Sequence, residues 1–436
     1  MVPHLTTSLT GPLQELERVV LDQRPEIERW FRTQWLEHEV PLYCSVDLRN
    51  SGFKLAPVDT NLFPGGFNNL NPDFLPLCVH AAISAVSKIC PDTRRFLLVP
   101  ENHTRNLHYL QNVAVLKRIL ESAGLTVRLG SLMPDLREPT TVETSAGEKL
   151  LLEPIQRRGN RVLLEGGFDP CAVLLNNDLS AGIPPILAGI EQVVVPPLVA
   201  GWSTRRKSQH FHAYDRVAEG FAKLVGVDPW FINPIFSQCG KVNFSEKEGE
   251  ECLVANVEFV LGEVREKYAK YGITEPPFAI VKADAGTYGM GIMTVKSVDD
   301  VRNLNRKTRN KMSVIKEGQP VHEVIIQEGV YTFESVDGAV AEPVVYMMDQ
   351  FVVGGFYRVH TDRGIDENLN APGARYAPLA FETDCHTPDC AGKPGDPPNR
   401  FYTYGVVARL AMLAAAVEVE ELVGRASALE IKAANA

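Results

Sequence analysis

Residues 278–295 read FAIVKADAGTYGMGIMTV, which sets Lys282 at the end of an apolar strand and then spaces glycines as Gly286-x-x-Gly289-x-Gly291. Glycines at that density let backbone N–H groups turn inward and approach a polyanion closely, while the lysine adds a flexible point charge. The pattern fits a flap over the phosphates of a nucleotide such as ATP, with Tyr288 inside it. Two better-known glycine motifs do not fit. The dinucleotide fingerprint G-x-G-x-x-G and the P-loop ending G-K-[ST] both lead into a helix. Here IMTVKS follows Gly291, β-branched and alternating, so the glycines join two antiparallel strands. The plainer reading is an ordinary hairpin with Lys282 in solvent.

Outward from this stretch, residues 278–360 are strand-rich: FAIVKAD, GIMTVKS, EVIIQEG, EPVVYMM and FVVGGFYRV, with one helix predicted around 298–312. This is the signature of an antiparallel α+β module. Residues 73–132 instead alternate helix, strand (RFLLVPE), helix (LQNVAVLKRILESAG) and strand (TVRLGSL), the pattern of an α/β unit with a parallel sheet. Residues 139–165 read as a β-hairpin excursion, after which AVLLNND and EQVVVPP resume the sheet. At the start, residues 12–39 place Leu13, Leu16, Val19, Val20 and Trp30 at helical spacing, with a break predicted at Pro25. YCSVDLR and FKLAPVD flank Asn50-Ser51-Gly52, which is hairpin chemistry. Further helices are predicted over 206–225 and 248–272, and an alanine-rich helix over 401–434.

With 436 residues the chain is long for one core, so two to three domains or one elaborate α/β body are expected. The 45% hydrophobic and 22% charged content is that of a globular protein, and no apolar run approaches the ~20 residues of a membrane span. MVPHLTTSLTGPL lacks the basic and apolar regions of a signal peptide, so a cytoplasmic location is expected. The net charge of −10 argues against nucleic acid and for a small-molecule partner; homo-oligomerisation is left open. The eight cysteines are scattered and are expected to be reduced thiols. Cys385-His386 with Asp389-Cys390 lacks the second ligand couple of a zinc site and reads as a loop.

Lysine strand, glycine flap, the strand ending Gln327-Glu328-Gly329-Val330, the strand ending at Arg358 and the loop Glu367-Asn368-Leu369-Asn370-Ala-Pro-Gly follow in an order that resembles the ATP-grasp ligases, glutathione synthetases most closely. WSTRRKSQHF is similar to the segment bearing that family's first ATP-contacting lysine, here Lys207. The family's magnesium-binding strands, which normally follow the arginine loop, are missing from that place. SVDLRNSGFKLAPVDTNLFPGGF supplies Asp47 on one strand and Asp59-Thr60-Asn61 on the other. The reading is a circularly permuted ATP-grasp-like α/β (α+β) fold with a Rossmann-like α/β unit, in which Asp47, Asp59 and Asn61 bind Mg²⁺ from the other end of the chain. Turn formation is the plainer role for Asp59 and Asn61.

FKLAPVDTNLFPGGFNNLNPDFLPLC, LLVPENHTRN, AVLLNNDLSAGIPPIL, GWSTRRKS and VVGGFYRVHTDRGIDENLNAPG together resemble the proteobacterial-type glutamate-cysteine ligases over nearly the whole length. The resemblance implies that ATP phosphorylates the γ-carboxyl of glutamate and that cysteine captures the acyl phosphate. Lys207 and Lys282 would hold the α- and β-phosphates; Gly286, Tyr288, Gly289 and Gly291 would close over them. Gln327, Glu328 and Val330 would form the adenine hinge through backbone groups, and Arg358 would stabilise the transferring phosphoryl group. Arg105 or Arg49 is the candidate for the substrate α-carboxylate, Asn176 and Asn370 for other amino-acid groups; His103 and His360 read as structural. The expected division is residues 1–72 completing the metal site, 73–200 the substrate-side α/β unit, 201–385 the nucleotide-binding region, and 386–436 a loop and helix. Another ATP-grasp amino-acid ligase, a kinase of the same fold and a non-catalytic nucleotide-binding module are the alternatives.

Overall fold

The computed structural model describes residues 5–6, 12–92, 94–102, 105–286, 291–314, 318, 320–379 and 401–434. Two amphipathic helices, Pro12–Asp22 and Arg24–Glu37, open it. The break falls at Gln23, and Pro25 sits in the first turn of the second helix, where its missing N–H leaves no bond unmade.

A six-stranded sheet runs in the order Val193–Val195, Ala172–Asn176, Arg95–Pro100, Thr126–Ser131, Lys149–Pro154 and Thr140–Glu143. Its first five strands are parallel and the last is antiparallel. The helices Leu75–Ile89 and Leu107–Ser122 complete the predicted α/β unit. The excursion divides in two. Leu150 and Leu152 alternate into the core, so their strand joins the sheet, whereas the polar Gln156–Arg158 pairs, among the described residues, with Arg161–Leu163 alone as a separate ribbon.

The lysine strand Ala279–Ala283 lies in a four-stranded antiparallel sheet, ordered Phe236–Cys239, Val324–Glu328 (the hinge strand), lysine strand, Ile292–Val295. After it come two helices, Val298–Arg302 and Arg306–Met312, where one was predicted. Asn305 caps the second by accepting from Thr308 N–H, which ends any continuous helix there. Cys239 and Cys252 are joined as a disulfide across Cα atoms 6.4 Å apart, so they are not the reduced thiols expected. The edge strand that ends at Cys239 packs against the first turn of the helix Glu250–Tyr271, which brings the two sulfurs together.

The seven-stranded sheet is built on the strand Ala339–Met348. It pairs along its length with the arginine strand Phe351–His360; its other edge is shared by Glu334–Val336 at the start and by Tyr43–Asn50 at the end. Tyr43–Asn50 in turn pairs with Leu55–Asn61. The N-terminal hairpin thus lies beside the arginine strand's own partner. The helix Phe401–Ala434 is buried on all sides from residue 402 to residue 416, a stretch that is apolar but for a few residues such as Thr403 and Arg409, and it packs against this hairpin, the same sheet and the helix Lys207–Val225. Among the described residues no helix is long and apolar enough to cross a membrane.

Candidate active site

Side chains two apart on a strand share a face, and that alternation makes one face of the seven-stranded sheet a chemical wall. Asp47 opposes Asp59 across the hairpin, Ser45 opposes Asn61, and Glu342 opposes Arg358 on the neighbouring pair. Asp47 is followed by a bulge: Leu48 pairs with Pro57, which leaves Val58 as the extra residue. Facing this wall stand Ile280 and Lys282 of the lysine strand and Gln327 of the hinge strand, with Lys207 at the start of its helix. Together they line a cavity of about 650 Å³. This is the size range of small-molecule sites.

Two carboxylates directly opposed on a sheet repel, so each needs a cation. Lys207 Nζ lies 2.7 Å from Asp59 Oδ1. Arg358 Nη1 lies 2.8 Å from Asp47 Oδ2 and 2.6 Å from Glu342 Oε1, and Glu342 Oε2 accepts from Arg49 Nε at 2.8 Å. Burial pushes the Asp59 carboxyl up, but Lys207 and Lys282 outweigh it and hold the group at about 2. Burial wins at Asp47, raising it against the pull of Arg358. Burial also lowers Lys282 to about 8, with Asp59 opposing. Lys282 Nζ donates to Gln327 Oε1 and to Val58 O, both at 2.7 Å. Arg358 Nε and Gln327 Nε2 are buried donors with no partner among the described residues.

A family profile described as glutamate-cysteine ligase matches residues 17–419. The chain belongs to the glutamate-cysteine ligase family. It is therefore an ATP-dependent ligase acting on small-molecule substrates. A crystal structure from Methylobacillus flagellatus KT, provisionally named a gamma-glutamylcysteine synthetase, is 67% identical with a TM-score of 0.88, over 97% of this chain and 99% of its own. A glutathione synthetase like-effector from Globodera pallida is far more distant, 10% identical with a TM-score of 0.39 over 87% of this chain and 85% of its own. No curated protein matches the chain.

In this ligase Gly286 and Gly291 hold positive φ angles of 96° and 61°, a conformation that favours glycine, and Gly286 lines the cavity. Tyr288 and Gly289 lie outside the described residues, as do His103, Cys385 and Cys390. Gln327 and Val330 line the cavity. Glu328 lines it as well; its N–H donates to Ile235 O at 2.7 Å, and its carboxylate is buried against Lys54 Nζ at 2.6 Å and Trp230 Nε1 at 3.0 Å. It is a strut between the hinge strand and its neighbours.

Arg49 lines the cavity too. Its guanidinium serves Glu342, Val330 O at 3.1 Å and Glu367 O at 2.5 Å, which leaves no free fork for a carboxylate. Arg105 is exposed and outside the cavity lining. Asn176 lines the cavity, yet its Nδ2 donates to Pro64 O at 2.9 Å and Tyr43 Oη at 3.1 Å while Oδ1 accepts from Asn112 at 3.1 Å. It frames the wall. Asn370 lines the cavity, with its N–H held by Asn368 Oδ1 at 2.9 Å in a turn. Asn61 Oδ1 accepts from Phe63 N–H at 2.9 Å, the turn geometry expected of it, and retains a second lone pair. His360 is structural, its ring nitrogens engaged by Pro372 O and Asp362 N–H. Sequence reasoning missed Glu342, although a lone glutamate in the apolar run AVAEPVVYMM was a signal, since a buried charge must be paired.

Proposed function

We propose that this cavity joins the γ-carboxyl of L-glutamate to the amino group of L-cysteine through an acyl phosphate, consuming ATP and releasing ADP and phosphate. The observation that carries the reading is the convergence of Lys207, Lys282 and Arg358 with Asp47, Asp59 and Asn61 on one cavity, drawn from both ends of the chain. A γ-carboxylate oxygen attacks the γ-phosphorus and the bond to the β-bridging oxygen breaks. The amine then attacks the acyl carbon, phosphate leaves and the nitrogen loses a proton. No side-chain nucleophile is needed, so positioning and charge neutralisation supply the acceleration. Lys207 and Lys282 neutralise phosphate oxygens, and the unpartnered Arg358 Nε suits an oxygen of the transferring group.

Among the described residues no three His, Cys, Asp or Glu side chains form a ready-made metal cage. Asp47, Asp59 and Asn61 offer hard oxygens on one wall, a set that magnesium would complete with phosphate and water oxygens. Mg²⁺ held there would neutralise charge on the nucleotide phosphates. The test is ADP release with Mg-ATP and L-glutamate, with and without L-cysteine, together with the mass of the product. Cysteine-dependent ADP and a γ-glutamylcysteine mass are expected; steady ADP release with no amide would replace the ligase reading with a kinase.

A further inference from the structure

The strand Leu55–Asn61 that carries Asp59 and Asn61 pairs, among the described residues, with Tyr43–Asn50 alone. Its outer edge is therefore open, and an open edge is the least constrained backbone in a sheet. Carbonyls two apart on a strand point the same way, and here those of Val58 and Thr60 are held by cations in place of a neighbouring strand. Lys282 Nζ donates to Val58 O at 2.7 Å, and Arg205 Nη1 donates to Thr60 O at 2.9 Å. Thr60 lies between Asp59 and Asn61.

Arg205 is fully buried and comes from just before the helix Lys207–Val225. Its Nε and Nη2 make a two-point pair with Glu418 of the C-terminal helix, at 2.7 and 3.0 Å, and Glu418 Oε2 also accepts from His210 Nδ1 at 2.9 Å. The guanidinium stacks on Trp202, 4.7 Å from the ring centroid, and the same ring carries Lys207, the partner of Asp59. A buried ion pair is weak evidence for stability, because an apolar replacement of like volume often serves as well. Its planar fork does supply fixed geometry, and that geometry ends on the peptide between the two oxygen ligands.

We propose that Arg205, oriented by Glu418, is a positioning residue for the metal-binding strand: it clamps the open edge at Thr60 so that Asp59 and Asn61 present their oxygens together. The proposal rests on the reading of Asp59 and Asn61 as magnesium ligands. Arg205→Lys keeps a buried cation for Glu418 but cannot serve Glu418 and Thr60 at once. A double variant, Arg205→Met with Glu418→Leu, removes the pair without stranding a charge.

The measurement is calorimetric titration of Mg²⁺ into each protein with ADP present, alongside the KM for L-glutamate at saturating Mg²⁺, with Asp59→Asn as the control. Arg205→Lys should weaken Mg²⁺ binding roughly 10- to 100-fold, the range for lost outer-shell partners, with the double variant falling in the same range where it folds. The KM for glutamate should stay within about twofold. Unchanged Mg²⁺ binding in Arg205→Lys, with Asp59→Asn impaired, overturns the clamp alone. Unchanged binding in Asp59→Asn overturns the metal reading beneath it, and equal losses in Mg²⁺ and glutamate affinity would make the pair a general packing element.

Discussion

Lys282 is the residue whose titration ties the cavity's electrostatics to function. Burial lowers it to about 8, while an unfolded lysine keeps its proton to about 10.4. Between those values the unfolded chain binds more protons, so Lys282's contribution to stability rises with pH in that window. Nucleotide affinity moves the other way, because only the charged lysine attracts phosphate. ADP binding, followed by calorimetry from about pH 7 to about pH 9, should weaken by up to about tenfold as the competent fraction falls. Lys282→Arg should flatten the profile, since a guanidinium stays charged. An ADP affinity that is independent of pH in the parent protein would remove Lys282 from the phosphates. At this scale the placements legible in the sequence were those fixed by local pattern: Lys282 on its strand, Gly286 and Gly291 beyond it, Arg358 on its strand, and Asp47 and Asp59 about a turn. The ion pairs of Arg49 and Glu328 were not legible, because their partners Glu342 and Lys54 lie hundreds of residues away in the chain.

Among the elements, the joint where the N-terminal hairpin, the strand Glu334–Val336 and the C-terminal helix meet carries its own titration. The Tyr404 hydroxyl donates to Glu334 Oε1, and Asn50 Nδ2 donates to that hydroxyl oxygen at 2.6 Å. Burial pushes Glu334 up to about 7, with the Tyr404 and Asn50 hydrogen bonds opposing. A carboxyl raised in the folded state contributes stability that is complete below its ordinary value and is lost as pH rises through about 7. Glu334→Gln, unable to ionise, should show no such loss, and at about pH 8 it should exceed the parent in urea unfolding by on the order of 1 kcal/mol. Identical pH slopes for the two proteins would contradict this. The hairpin itself was legible from Asn50-Ser51-Gly52, but its sheet neighbour was not, because strand pairing at long range leaves no local trace. The resemblance to ATP-grasp enzymes, with their metal strands missing from the usual place, supplied it. The split of the 298–312 helix turned on one capping asparagine.

Taken whole, the molecule sets a lysine-bearing sheet against an arginine-bearing sheet and completes the second with strands from the chain's start. The parallel sheet and the C-terminal helix are its support: one frames the cavity through Asn176, and the other pairs Glu418 with Arg205, which in turn donates to Thr60 O of the strand Leu55–Asn61. The central claim is that a glutamate carboxylate is phosphorylated in this cavity before the amine arrives. It is tested by supplying L-glutamate labelled with ¹⁸O in the γ-carboxyl, together with Mg-ATP and L-cysteine, and weighing the inorganic phosphate formed. An acyl phosphate predicts one ¹⁸O atom transferred to each phosphate released with γ-glutamylcysteine, because the bridging oxygen leaves with the phosphorus. Unlabelled phosphate would contradict the account.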